Sequence, residues 1–198
     1  MSKPKIPQPV KLIASIITAD PEVMDAVCLH VENNFGPIDY RSDQLSFNYT
    51  DYYEAEIGTG LFRRFVTVHD LIAPGSLPDV KLFANDLEAT SARPDGTRRV
   101  NIDPGYITLH HLILATCKNF AHRPYLRDGV FADLTLLYKG GTFTALDWTF
   151  PDYRSPELIM LLNGLRDRYY EQLKPCDAPG LQGGKRSGQN NDSLNLES

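Results

Sequence analysis

VKLIASIITADPEVMDAVCLHVENNFGP (residues 10–37) is the stretch whose reading decides the fold. Val10 to Thr18 is a dense apolar run, suited to a buried strand. Asp20-Pro21-Glu22 then starts a helix: Asp caps it, Pro fits the first turn, and Glu favours the positive helix end. Val23, Val27, Val31 and Phe35 form one apolar stripe, and Gly36-Pro37 stops it. A strand feeding a capped helix is the first half of a β-α-β unit.

Working outward, Leu45, Phe47 and Tyr49 alternate with Ser46, Asn48 and Thr50, as a half-buried strand does. Phe62, Val66 and Val68 mark the next strand, with Arg64 on their face. Ser76 is placed to cap a helix whose apolar side holds Val80, Phe83, Ala84 and Leu87, and Val100 and Ile102 begin another strand. The order through residue 106 is β-α-β-β-α-β, the split arrangement of ferredoxin-like folds. Thr108 is read as opening a helix through about Cys117, with His110 and His111 side by side on it. They lack the i, i+4 spacing of a helical zinc site, so they read as packing residues. Phe131 to Tyr138 and Thr142 to Phe150 flank Gly140-Gly141, which supplies the positive φ of a two-residue hairpin turn. Ser155-Pro156-Glu157 repeats the capped start, and Leu158, Leu161, Leu162, Leu165 and Tyr169 give a last amphipathic helix. The expected fold is α+β: a ferredoxin-like core extended by a helix, a β-hairpin and a C-terminal helix. One mixed sheet is expected, with helices mainly on one face.

The 198 residues suit one domain. Residues 1–9, with three prolines, read as an extended arm, 10–173 as the domain, and the Gly-, Asn- and Ser-rich 174–198 as a disordered tail. A net charge of -5 and a pI near 5.5 provide no basic field for general nucleic-acid binding. No apolar run is long enough for a membrane span or signal peptide, so the expected location is the cytoplasm. Three widely spaced cysteines, without a CxxC, argue against a disulfide framework or a structural zinc. Cys28 and Cys117 are expected to pack as small hydrophobes.

Three polar clusters hold the candidate site. Asp51, Glu54 and Glu56 could supply a general acid and base or oxygen ligands, with Tyr52 and Tyr53 lining a pocket and Arg64 as its cation. Asn101 and Asp103 alternate with Val100 and Ile102, and so point away from that core face. Lys118, His122 and Arg123 offer three donors, of which Arg can grip a carboxylate or phosphate with two hydrogen bonds and His can transfer protons. The catalytic candidates are Asp51, Glu54 and His122. The ligand-binding candidates are Tyr52, Tyr53, Arg64, Asn101, Asp103, Lys118, His122 and Arg123. The cofactor is left open.

TDYYEAEIGTGLFRRF (50–65), RRVNIDPGYIT (98–108), LATCKNFAHRPYL (114–126) and WTFPDYRSPE (148–157) resemble a bacterial family of uncharacterised proteins. That family is a domain of unknown function whose members often carry a "GTP-binding protein" label, and the resemblance runs from Pro9 to about Leu173. The residues do not support a standard GTPase. A P-loop needs G-x-x-x-x-G-K-[ST]. The one Gly-Lys, Gly184-Lys185, is followed by Arg186, and Pro179 stands five residues before Gly184. Three functions remain: binding of an anionic or nucleotide-like small molecule where the three clusters converge, a non-catalytic interaction module, or a metal-dependent hydrolase using Asp51, Glu54, Glu56, Asp103 and His122.

Overall fold

A computed structural model describes residues 1–47 and 54–174. The elements are β1 (Lys11–Thr18), α1 (Pro21–Phe35), β2 (Ile38–Arg41), β3 (Leu45–Ser46), α2 (Glu54–Ile57), β4 (Phe62–Val68) and α3 (Leu77–Thr90). They continue with β5 (Val100–Ile107), β6 (His111–Thr116), β7 (Tyr125–Arg127), β8 (Val130–Lys139), β9 (Thr142–Ala145) and α4 (Pro156–Gln172). The strands form one sheet in the order β2-β4-β1-β5-β6-β8-β7, with β3 also on β4 and β9 also on β8. Its first four strands have the order of the expected β-α-β-β-α-β core, but the second of them in chain order is Ile38–Arg41, which the sequence reading does not pick out. Of the strand expected at residues 45–50 the structure has the two-residue β3, and residues 48–50 lie outside the described residues. Every described pairing is antiparallel, so the sheet is not mixed.

All eight residues of β1 are buried because the strand is covered on both faces. Leu12, Ala14 and Ile16 pack with Val23, Val27 and Val31 of α1 and with Val80, Ala84 and Leu87 of α3. Ile13, on the opposite face, packs with Phe65, Leu136, Leu158, Leu162 and Leu165. The helices are therefore not gathered on one face: α4 returns from the far end of the chain to cover the other. Fully burying one such aliphatic side chain is worth about 1.5–3 kcal/mol. Asp20 caps α1 as expected, accepting from the Glu22 amide at 2.9 Å. Ser76 precedes α3 but gives its hydroxyl to the Ala73 carbonyl, so it caps by position and not by hydrogen bond. Lys11, buried in β1, reaches Asp39 of β2 and Gln172 at the end of α4.

Residues 108–117 correct the sequence reading most sharply. Where a helix is expected, His111–Thr116 is strand β6. Leu112 and Leu114 meet the α4 side, while Ile113 and Ala115 meet Leu77 of α3 and Val130. A strand buried on both faces is a continuous apolar run, which periodicity cannot separate from a buried helix. Thr108 makes the bonds expected of a helix cap, accepting from the amides of His110 and His111 at 3.0 Å each, but they close a turn. Cys117, beyond the strand, is exposed; Cys28 is buried as expected.

The Gly140-Gly141 turn is as expected, with φ of 63° and 86°. A second tight turn at Asp128-Gly129, missed in the sequence, joins β7 to β8. The strand expected through Phe150 stops at Ala145. The chain then folds on itself, with the Thr149 amide on the Leu146 carbonyl at 3.0 Å and the Arg154 guanidinium on the carbonyls of Leu146, Asp147 and Thr149. Residues 1–9 are exposed and carry no regular structure; the expected tail falls outside the described residues apart from Lys174.

Candidate functional site

The sheet divides at β5. β1 pairs with all of Val100–Ile107, whereas β6 pairs only with Gly105, Tyr106 and Ile107. A Cβ on Gly105 would collide with the carbonyl oxygen of Ile113, so the two strands approach closely there because the residue has none. Toward Val100 they part, and a cleft of about 680 Å³ opens between them. That volume lies in the range of small-molecule sites.

Several separate segments bring charge to it. Asn101 and Asp103 come from β5, Lys81 and Glu88 from α3, Lys118 and Arg123 from the segment after β6, Asp133 from β8, Arg63 from β4, Arg98 from the approach to β5, and Asp152 and Tyr153 from the short 3-10 turn Pro151–Arg154. Among the described residues the lining holds five cations and four carboxylates.

Most are paired. Arg63 lies within 2.5 Å of Asp152, both nearly inaccessible. Its guanidinium sits over the Phe47 ring at 4.4 Å and beside those of Phe65 and Tyr153 at 5.4 Å. Arg98 grips Glu56 with two hydrogen bonds of 2.8 and 2.6 Å, and those bonds hold the Glu56 carboxyl below its usual range. Arg98 also donates to Asn101, which donates to Asp103 at 2.7 Å. Arg123 holds Asp133 at 2.8 Å; Asp133 is only 3% exposed, so Arg123 is built into the wall. Lys81 donates to the Ile102 carbonyl at 3.0 Å, and Glu88 accepts from the Ile102 amide at 2.5 Å. These two side chains occupy the backbone edge that β6 leaves open. Burial pushes the Glu88 carboxyl up.

Behind the lining, three polar atoms are buried without a hydrogen bond: Arg63 Nε, Tyr153 Oη and Ser15 Oγ. Ser15 lies across from Phe65 and Asp103 in register, and its hydroxyl faces that of Tyr153 without reaching hydrogen-bond geometry. Burial also pushes the Tyr153 phenol up, which keeps its proton on. Beyond Asp133, His122 stacks on Trp148 with ring centres 5.0 Å apart. Its Nε2 lies 3.4 Å from Asp133 Oδ2 without making a hydrogen bond to it.

Of the expected site residues, Asn101, Asp103, Lys118 and Arg123 line the cleft, and His122 stands beside it through Asp133. Arg64 does not line the cleft. It points to the opposite face of the sheet, toward Asp25 of α1 at 3.9 Å, and the cleft receives its neighbour Arg63. Glu56 reaches the site only through Arg98. Asp51, Tyr52, Tyr53 and the Glu54 side chain lie outside the described residues. Among the described residues no three of His, Cys, Asp and Glu are grouped to hold a metal ion. Sequence reasoning missed Arg63, Arg98, Asp152 and Tyr153, and also Lys81, Glu88 and Asp133. The signal of the last three was available: Lys81 and Glu88 share a stripe with Leu77 and Ala84, and Asp133 interrupts an apolar strand.

Among the described residues no helix is long and apolar enough to cross a membrane. No curated protein and no solved structure matches the chain. The model of one family, described as a domain of unknown function (DUF4416), matches residues 8–169, most of the chain, and the protein belongs to that family.

Proposed function

We propose that the cleft at the division of the sheet binds an anionic, nucleotide-like small molecule. The observation that carries this reading is the convergence of Arg63, Lys81, Arg98, Lys118 and Arg123 on one cavity of about 680 Å³. Charged side chains removed from water cost free energy unless paired, and a fold has no need to gather so many at one gap. A ligand-binding site does, because a few convergent polar groups in a concave surface fix its occupant. The aromatic residues Phe47, Phe150 and Tyr153 on the same walls suit a flat ligand body.

A thermal-shift screen of nucleotides, phosphorylated metabolites and organic acids against the full chain tests it. An occupant at about 100 times its Kd stabilises the native state by about 2.7 kcal/mol. Lys118 is exposed on the cleft wall, so Lys118→Ala should weaken binding several-fold. Without ligand, its stability should stay within about 0.5 kcal/mol of the parent, as for most surface changes. Binding unaffected by Lys118→Ala, or no stabilising anion at all, counts against the cleft. A second reading, a docking module for a partner protein, is favoured by the exposed rings of Phe120 and Trp148, both against His122, and of Phe150 on the cleft wall. It predicts that substituting these rings abolishes partner binding while small anions have no effect.

A further inference from the structure

We infer that the occupant of the cleft presents a sugar hydroxyl, as the ribose of a nucleotide does, to the carboxylate of Asp103. This rests on the binding reading above and names the part of the ligand that one wall recognises.

The first observation is what the lining carboxylates have left to offer. Asp133 is held by Arg123 and Thr135, Asp152 by Arg63, and Glu88 by the Ile102 amide. Their side chains are 5%, 9% and 11% exposed, whereas that of Asp103 is 32% exposed. Asp103 Oδ2 accepts from Asn101 at 2.7 Å, but Oδ1 takes no hydrogen bond from a described residue. Nor is Oδ1 one of the polar atoms sealed from solvent, as Arg63 Nε and Tyr153 Oη are. A carboxylate has about four lone-pair sites, and Asn101 fills one.

The second observation is how firmly this acceptor is aimed. Arg98, gripping Glu56, donates to Asn101 Oδ1 at 3.1 Å, which turns the Asn101 NH2 toward Asp103. Asn101 is buried, so Asp103 is fixed by a partner that is itself fixed. The backbone opens the sheet at the same place. Strand alternation turns the backbone groups of Ile102, Pro104 and Tyr106 toward β6. Pro104 has no N–H to give, and the Ile102 peptide groups are taken by Lys81 and Glu88. The gap therefore begins beside Asp103.

Charge then selects the donor. Lys81 Nζ lies 3.9 Å from Asp103 Oδ1, so an ammonium or guanidinium on the ligand would meet a cation already stationed at that oxygen. A hydroxyl brings a donor without charge. Dinucleotide-binding folds use an acidic side chain on a ribose hydroxyl in the same way. The volume of about 680 Å³ leaves room for the rest of a nucleotide.

The test is calorimetric titration of the full chain with AMP, GMP, ATP and GTP, each beside its 2′,3′-dideoxy form. The ribonucleotide that binds most tightly should lose about tenfold or more in affinity when its ribose hydroxyls are removed. Equal affinity for the two forms overturns this inference and leaves nucleotide binding in place. No binding by any of these compounds overturns the nucleotide-like ligand of the reading above. In Asp103→Asn the new carbonyl takes the Asn101 NH2, and a donor stands where Oδ1 stood. This variant should fold and bind the two forms within about twofold of each other. Discrimination in Asp103→Asn as strong as in the parent overturns the place given to Asp103.

Discussion

Burial pushes the Glu88 carboxyl up, and the nearby Lys81 ammonium, the Ile102 amide and Arg98 only partly offset this. A carboxyl whose folded-state pKa is raised stabilises the fold fully at pH values below its unfolded pKa, about 4.3. That contribution is lost as pH rises through the folded-state value, where the buried group must ionise. Glu88→Gln keeps a carbonyl acceptor for the Ile102 amide and never ionises. Arg98 retains Glu56 as its partner in the variant. Urea unfolding at two pH values should therefore show Glu88→Gln gaining on the parent protein between pH 4 and pH 7. An equal stability difference at the two pH values would falsify the buried position of this carboxyl. Asp39 behaves oppositely: burial pushes it up, but hydrogen bonds from Lys11 and Thr67 prevail and hold it low, so its contribution is lost on acidification.

At the scale of elements, hairpins and helices were legible to different degrees. Helix α1 was read correctly because its cap, its proline and its stripe are all local. β6 was misread because what makes it a strand is a helix from each side, and one of them lies more than forty residues downstream. The β8–β9 turn is local again. Gly140 and Gly141 both hold positive φ, and a β-branched residue in that region costs about 1–2 kcal/mol. Replacing both with Val should destabilise the protein by about 2–4 kcal/mol in chemical denaturation. Replacing them with Asn-Gly, a pair suited to the same turn, should recover most of that loss. If the Val pair costs less than about 0.5 kcal/mol, the hairpin does not depend on this turn.

For the whole molecule, the ferredoxin-like core was legible and the lining of the candidate cleft was partly legible. Asn101, Asp103, Lys118 and Arg123 could be picked out as unusual polar residues beside core segments, and all four reach the cleft. Arg64 was chosen over Arg63 because its face was judged from its strand neighbours alone. Which face of β4 opens onto the gap depends on where β6 leaves β5 and where the turn before α4 crosses, and neither is written near residue 64. The same long-range geometry hid Lys81, Glu88 and Asp133. The division of the sheet has a consequence for slow exchange with solvent. The Ile102 amide sits in a strand next to the centre of the fold, yet its hydrogen is held by a carboxyl from α3 and not by a neighbouring strand. Its deuterium uptake should follow the lifting of α3 from the strand edge, so it should be faster than that of the amides β5 gives to β1. An occupant of the cleft should slow the uptake at Ile102 while those neighbours keep their rates, which makes one amide a reporter for the gap.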